Sequence, residues 1–258
     1  MKKRSPKGSV ENVEHRLSTL TSVVFTTVAL SSILVAGCGG TTESASISNV
    51  AVAPSPALST WVVMGSSTAA GFGAGPGQRW SDLLQKDVAD KGVTVRNIAK
   101  AGAVTYQALS TSVAPVIGRP APDPSINLDY ALSFRPSVVF VSFPTNDTVA
   151  GYSVNEIVKN LKSIRDGARA TGTQVILLST QPRVMTNIQR QELRLIDEQL
   201  SDIAGKCFIN VQKALTAPDG TLAKAYDSGD GIHPNNEGHN VIFEAVSTVI
   251  EEGICLQK

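Results

Sequence analysis

The sequence predicts a three-layer α/β/α domain on a central, mostly parallel five-stranded sheet, and three observations predict it. Short apolar, β-branched runs recur from Thr60 onward, segments of helical period separate them, and the runs are apolar on both faces. Strands of that kind are buried between two layers of helices. The alternation of strand and helix favours a single domain with right-handed crossovers.

Taken in order, residues 61–64 (Trp-Val-Val-Met) read as the first strand, 78–91 as a helix and 93–98 as the second strand. Residues 137–141, 174–178 and 207–209 supply the third, fourth and fifth strands. Between the third and fourth, Val154, Ile157, Val158, Leu161, Ile164 and Ala168 fall at helical spacing, with Gly172 as the stop. Between the fourth and fifth, Leu193, Ile196, Leu200 and Ile203 recur every three or four residues ahead of Gly205, and residues 237–251 form a last helix. The domain so outlined spans residues 60–258.

Composition narrows the function classes. The 258 residues carry 23 Lys and Arg against 22 Asp and Glu, and 42% are hydrophobic. This balance excludes a disordered chain, a polybasic nucleic-acid binder and a multi-pass membrane protein. Three Cys and three His are too few for a disulfide-stapled miniature or a multi-zinc protein.

The charge is unevenly spread. Residues 1–16 hold Lys2, Lys3, Arg4, Lys7 and Arg16 against Glu11 and Glu14, and an uncharged apolar stretch follows to Gly40. A basic start, an apolar run and small residues at its exit are the layout of a secretory signal. The run is also long enough to be a retained membrane anchor. Its end, Val35-Ala36-Gly37-Cys38, resembles the bacterial lipobox, in which the Cys is acylated and becomes the mature N-terminus. That resemblance implies a signal peptide over 1–37, lipidated Cys38, a flexible Pro-containing tether over 38–59, and a domain held at the bacterial cell envelope. In a Gram-negative cell, Gly39 after the Cys favours the outer membrane. From Cys38 onward the chain is close to neutral, which gives no reason to expect a nucleic-acid partner.

Ligands of such folds bind outside the carboxyl ends of the strands, so the residues that follow each strand carry the functional reading. After the first comes Gly65-Ser66-Ser67-Thr68-Ala69-Ala70-Gly71, where a Ser at a strand-to-helix turn can present its hydroxyl as a nucleophile or merely cap the helix. Asn97-Ile98-Ala99-Lys100-Ala101-Gly102 follows the second strand and Pro144-Thr145-Asn146-Asp147 the third. Gly102 can bring a bare N–H to a ligand and Asn146 can donate its amide, though both segments also suit ordinary turns. Near the C-terminus, Asp230-Gly231-Ile232-His233-Pro234-Asn235 sets a carboxylate three residues before an imidazole, so that one ring nitrogen can be held and the other left as a base. His15 lies in the leader, and His239 falls within the last helix as a surface or packing residue.

In this order, the four segments resemble the SGNH (GDSL-type) hydrolase superfamily, over roughly residues 60–252. The resemblance implies a flavodoxin-like sheet and a serine esterase in which Ser67 is the nucleophile, His233 the base and Asp230 its orienting acid. Ser67, Gly102 and Asn146 would donate to the oxyanion, with neither metal nor organic cofactor required. Three positions depart from the family pattern: Ser66 stands where Asp is usual, Ala99 where Gly is commoner, and Pro144 where Gly is usual.

The substrate class implied is a carboxylic ester with a short acyl group, such as O-acetyl on carbohydrate. Lysophospholipase or thioesterase action on longer chains is the alternative, and a non-catalytic binding lipoprotein on the same fold is the rival of another class. Cys207 and Cys255 can pair in an oxidising compartment. The segment 118–124 reads as a rigid surface insertion that either borders the cleft or only connects. Gly71-Phe72-Gly73-Ala74-Gly75-Pro76-Gly77 lacks the Lys-Ser/Thr ending of a phosphate loop, and Arg183, after the fourth strand, either meets an acidic group of the substrate or, as the favoured reading, belongs to a solvated loop.

Overall fold

The computed structural model describes residues 58–253, 255 and 256. The signal-peptide and Cys38 readings, and nearly all of the tether, lie outside the described residues. Five strands, β1 (Ser59–Gly65), β2 (Val93–Asn97), β3 (Val138–Ser142), β4 (Gln174–Leu178) and β5 (Phe208–Ile209), form one sheet in the order β2-β1-β3-β4-β5. Every pairing is parallel, and Trp61 of β1 stands between Val95 and Val138. This is a doubly wound order, whose direction reverses at β1 and β3, and a crevice opens at such a point.

The helices are α1 (Ser67–Ala70), α2 (Trp80–Val88), α3 (Thr105–Ala108), α4 (Leu128–Ser133), α5 (Thr145–Val149), α6 (Val154–Arg169), α7 (Asn187–Ala204), α8 (Gln212–Leu215) and α9 (Asn236–Glu251). Successive residues of a strand point to opposite faces, so the sheet separates two cores. Val62, Met64, Val139, Val141, Val175 and Leu177 pack with α3, α4, α6 and α7. Trp61, Val63, Val138, Phe140, Ile176 and Leu178 pack with α2, α8 and α9.

The long helices lie where the apolar spacing predicts them, and their starts are fixed by side chains. Ser153 accepts from the Glu156 N–H while Glu156 accepts from the Ser153 N–H, at 3.3 and 3.0 Å, and Thr186 and Gln189 repeat the arrangement at α7. Several boundaries differ from expectation. A turn closed by the Gln78 N–H on the Gly75 carbonyl delays α2 to Trp80, and its last turn tightens into a 3₁₀ segment, Ala89–Lys91. A second 3₁₀ turn, Gly205–Cys207, takes Cys207 out of the fifth strand and leaves that strand two residues long. β1 begins at Ser59, inside the segment expected to be tether.

Cys207 and Cys255 are joined as a disulfide, their Cα atoms 5.4 Å apart, so the tail beyond α9 is tied to the start of β5. Closing a loop of 48 residues restricts the unfolded chain by about 4 kcal/mol in the loop-entropy account. The Cys207→Ala/Cys255→Ala protein is therefore expected to lose roughly 4 kcal/mol of unfolding free energy in urea titrations. A loss below about 1 kcal/mol would show that the cross-link contributes little.

Candidate active site

β1 ends at Gly65, and a Cβ there would lie 2.4 Å from the Ser142 carbonyl oxygen and from the Ala69 Cβ. Only a glycine lets β1 pass β3 so closely and turn at once into α1. Ser66 donates its N–H to the Ser142 carbonyl, which leaves Ser67 as the first residue of α1. The usual Asp is absent from this turn, and Ser66 is itself buried.

The loop that follows β5 and α8 returns to this turn. Asp230 Oδ1 accepts from the N–H groups of Ile232 and His233, both at 2.8 Å, a side-chain-to-backbone turn that folds the carboxylate back over its own loop. Asp230 Oδ2 meets His233 Nδ1 at 2.6 Å, and His233 Nε2 meets Ser67 Oγ at 2.9 Å. Burial opposes the Asp230 charge, but the His233 ring and the two N–H groups outweigh it and hold the carboxyl well below the usual carboxylate range. An ionised Asp230 requires the proton on Nδ1, which leaves Nε2 as the acceptor of the Ser67 hydroxyl hydrogen. The geometry can thus move a proton from Ser67 to an imidazole whose charge is already matched.

Ser67, Phe72, Ala101, Gly102, Asn146, Arg183, Ile232 and His233 line one cavity of about 220 Å³. Gly102 adopts φ +78°, a conformation disfavoured for other residues, and a Cβ there would meet nothing within 4 Å. The Asn146 amide donates to the Ala103 carbonyl at 3.1 Å, which fixes the plane of the side chain beside Gly102. Pro144 caps α5 with φ −59° and does not line the cavity, so it stiffens the turn that carries Asn146 rather than narrowing the site.

Buried polar residues in and beyond the motifs hold these parts together. Asp147, fully buried, accepts from the N–H and hydroxyl of Thr105 at 2.9 and 2.5 Å, and Asn160 donates to the same hydroxyl at 3.0 Å. The segment after β2 is in this way pinned to the one after β3. Burial pushes the Asp147 carboxyl up to about 6 against these hydrogen bonds.

His239 is also fully buried, a packing residue and not a surface one. It donates from Nε2 to the Phe72 carbonyl at 3.0 Å and accepts the Trp80 N–H on Nδ1 at 3.4 Å. This seats Phe72, whose ring lies 5.5 Å from that of His233. The loop 71–77 thus packs on α9, with the Gly75 N–H on Asn236 Oδ1.

Segment 118–124 does not line the cavity. Arg119 stacks 4.1 Å over Tyr152 and binds Glu156, while Asp123 pairs with Lys100 at 2.7 Å beside the Ala101 wall. Arg183, for which the sequence left a substrate contact and a solvated loop open, lies in the cavity wall.

A larger cavity of about 720 Å³ lies between α7 and the β5–α8 segment, lined by Leu193, Asp197, Phe208 and Asn210 among others. It holds none of Ser67, His233 and Asp230, so the smaller cavity is the candidate active site.

The comparisons with known proteins meet the geometry here. Residues 63–241 match the model of the GDSL-like Lipase/Acylhydrolase family. The chain belongs to this family. The Esterase TesA of Pseudomonas aeruginosa is 31% identical over 127 residues, 48% of this chain and 56% of that protein. The chain therefore aligns with little more than half the length of that curated relative. A crystal structure of TesA superposes with a TM-score of 0.57 at 22% identity, covering 75% of this chain and 98% of that one. An acetyl-xylooligosaccharide esterase from Geobacillus gives 0.57 at 18% identity, covering 74% and 94%. These likenesses show the same fold.

Burial also shapes the pH response of this GDSL protein. Asp197, 5% exposed and facing the larger cavity, has among the described residues only the Asn210 amide at 3.5 Å, and burial together with the Glu198 charge pushes its carboxyl up to about 8. A carboxyl raised on folding adds stability that is complete below its unfolded value near 4 and is lost as pH rises through the folded value. In urea titrations at pH 5 and pH 9, Asp197→Asn should therefore lose less stability across that interval than the parent. Equal losses in the two proteins would remove Asp197 as the cause.

Proposed function

We propose that the protein hydrolyses carboxylic esters with short acyl groups through an acyl-enzyme on Ser67. One observation carries this reading: the unbroken series Asp230–His233–Ser67, with contacts of 2.6 and 2.9 Å, opens on a cavity that Gly102 and Asn146 also line.

His233 takes the Ser67 proton as the oxygen attacks the ester carbonyl, and Asp230 stabilises the imidazolium. The N–H groups of Ser67 and Gly102 and the Asn146 amide receive the developing oxyanion, and each such donor contributes about 3 kcal/mol in the transition state. His233 then returns its proton to the leaving alcohol, activates water on the same face, and the acid departs. A volume of about 220 Å³ is below the range of about 300–1,000 Å³ usual for small-molecule sites and suits acetyl or a similarly short group. Carbohydrate O-acetyl esters, the class that names the Geobacillus neighbour, fit this limit.

A second reading, hydrolysis of longer acyl chains as in a lysophospholipase or thioesterase, draws on Phe72 and Val184, which are 50% and 68% exposed. We also propose the acylated Cys38 and the cell-envelope location, on the strength of Val35-Ala36-Gly37-Cys38.

With 4-nitrophenyl acetate, Ser67→Ala and His233→Ala should lower kcat by about 10³-fold or more, and Asn146→Ala by about 10²-fold. A fluorophosphonate should label the parent on Ser67. Undiminished turnover in the Ser67 and His233 variants would end the proposal, and rates that climb from acetate to palmitate would favour the longer-chain reading.

A further inference from the structure

Arg183 is a cation in the wall of the candidate cavity that has no carboxylate partner among the described residues. Its Nε is buried and makes no hydrogen bond. Asp230 is the acid whose field reaches it, yet both Asp230 oxygens are committed to the His233 loop. Other cations near this end of the sheet are satisfied: Lys100 by Asp123, Arg119 by Glu156, and Arg190 by the Met185 carbonyl and Asn187.

The position of Arg183 is fixed from both sides. Gln181 donates to the Ile232 carbonyl at 2.8 Å and the Val184 N–H to the Gly231 carbonyl at 2.9 Å. The two residues that flank Pro182 and Arg183 are thus stitched to the loop that carries His233. Burial works against the guanidinium charge, and leaving a buried donor unmatched costs stability. A group kept at such a cost inside a reaction cavity has a use in the bound state, and a guanidinium is shaped for the paired oxygens of a carboxylate or phosphate.

We propose that Arg183 is a specificity residue that receives an anionic group of the substrate, a carboxylate or a phosphate, so that the preferred esters carry a negative charge close to the scissile bond. This rests on the esterase reading and names its substrate class more closely. It is also a reason for the loop after β4 to be tied to the base loop, since guanidinium and imidazole must keep a fixed separation to hold one molecule at two points.

Three pairs of esters test it, each with one charged and one neutral member. Mono-4-nitrophenyl glutarate against its methyl ester sets a carboxylate on the acyl side. O-acetylated methyl glucuronate against O-acetylated methyl glucoside sets it on the alcohol side, and 1-acetylglycerol 3-phosphate against 1-acetylglycerol replaces it by phosphate. For at least one pair, the parent should favour the charged member by roughly ten- to hundredfold in kcat/KM, carried mainly by KM. The same ratio should fall to near one in Arg183→Gln and recover in part in Arg183→Lys.

Which pair responds identifies the source of the anion. A ratio near or below one in all three pairs of the parent, or a preference that survives in Arg183→Gln, overturns the proposal. Turnover of 4-nitrophenyl acetate reports separately on the esterase reading. Neutral esters that stay inert in a protein unlabelled by fluorophosphonate would strike that reading first and this proposal with it.

Discussion

The hydrogen bond between Ser67 and His233 joins positions 166 apart in the sequence, and the rest of the architecture serves to make it. A contact of that span closes only if the first strand-to-helix turn and the last loop reach the same edge of the sheet. Parallel strands with right-handed crossovers achieve this, because every strand then ends on that edge. The sheet order sets the lateral arrangement. β1 and β3 are central neighbours, so the residues that follow them face each other across the crevice, with the segment after β2 on one flank and those after β4 and β5 on the other.

Position is then refined by buried polar groups instead of by apolar packing. Asp147 clamps Thr105, Asn146 holds the Ala103 carbonyl, and His239 seats Phe72 against His233. Each of these bonds joins two segments that meet at the site, and the one from Thr105 to Asp147 is fully buried, where a hydrogen bond is harder to exchange. Close-packed side chains alone would leave the loops free to slide, whereas directional bonds of 2.5 to 3.1 Å fix angle as well as distance.

The sheet and the three longest helices were legible in the sequence because their signals are local, whereas Ser67, His233 and Asp230 were named by the resemblance of four strand-end segments taken together, and the fold sets them in contact at 2.6 and 2.9 Å. Five short helices were not legible, since α1, α3, α4, α5 and α8 have four to six residues and carry no full helical period. The place of Arg183 in the cavity wall stayed open between two readings because it depends on bonds from Gln181 and Val184 to residues about fifty positions away. Asp147 gave no local sign, since its partner Thr105 is distant in sequence. Asp197 did give one: it lies four residues after Leu193 and three before Leu200, on the inward face of α7, and helical spacing alone points it at the core.

The brevity of β5 has a consequence for life in a crowded compartment. A strand at the rim of a sheet exposes a row of unpaired backbone groups on which another chain can polymerise. Here one rim strand offers only Phe208 and Ile209, with the cross-linked tail secured beside it by Cys207 and Cys255. The other, β2, turns Thr94 and Arg96 to solvent. Both margins are thus poor templates for intermolecular strand addition, and an outermost strand only two residues long leaves a neighbour almost nothing to extend.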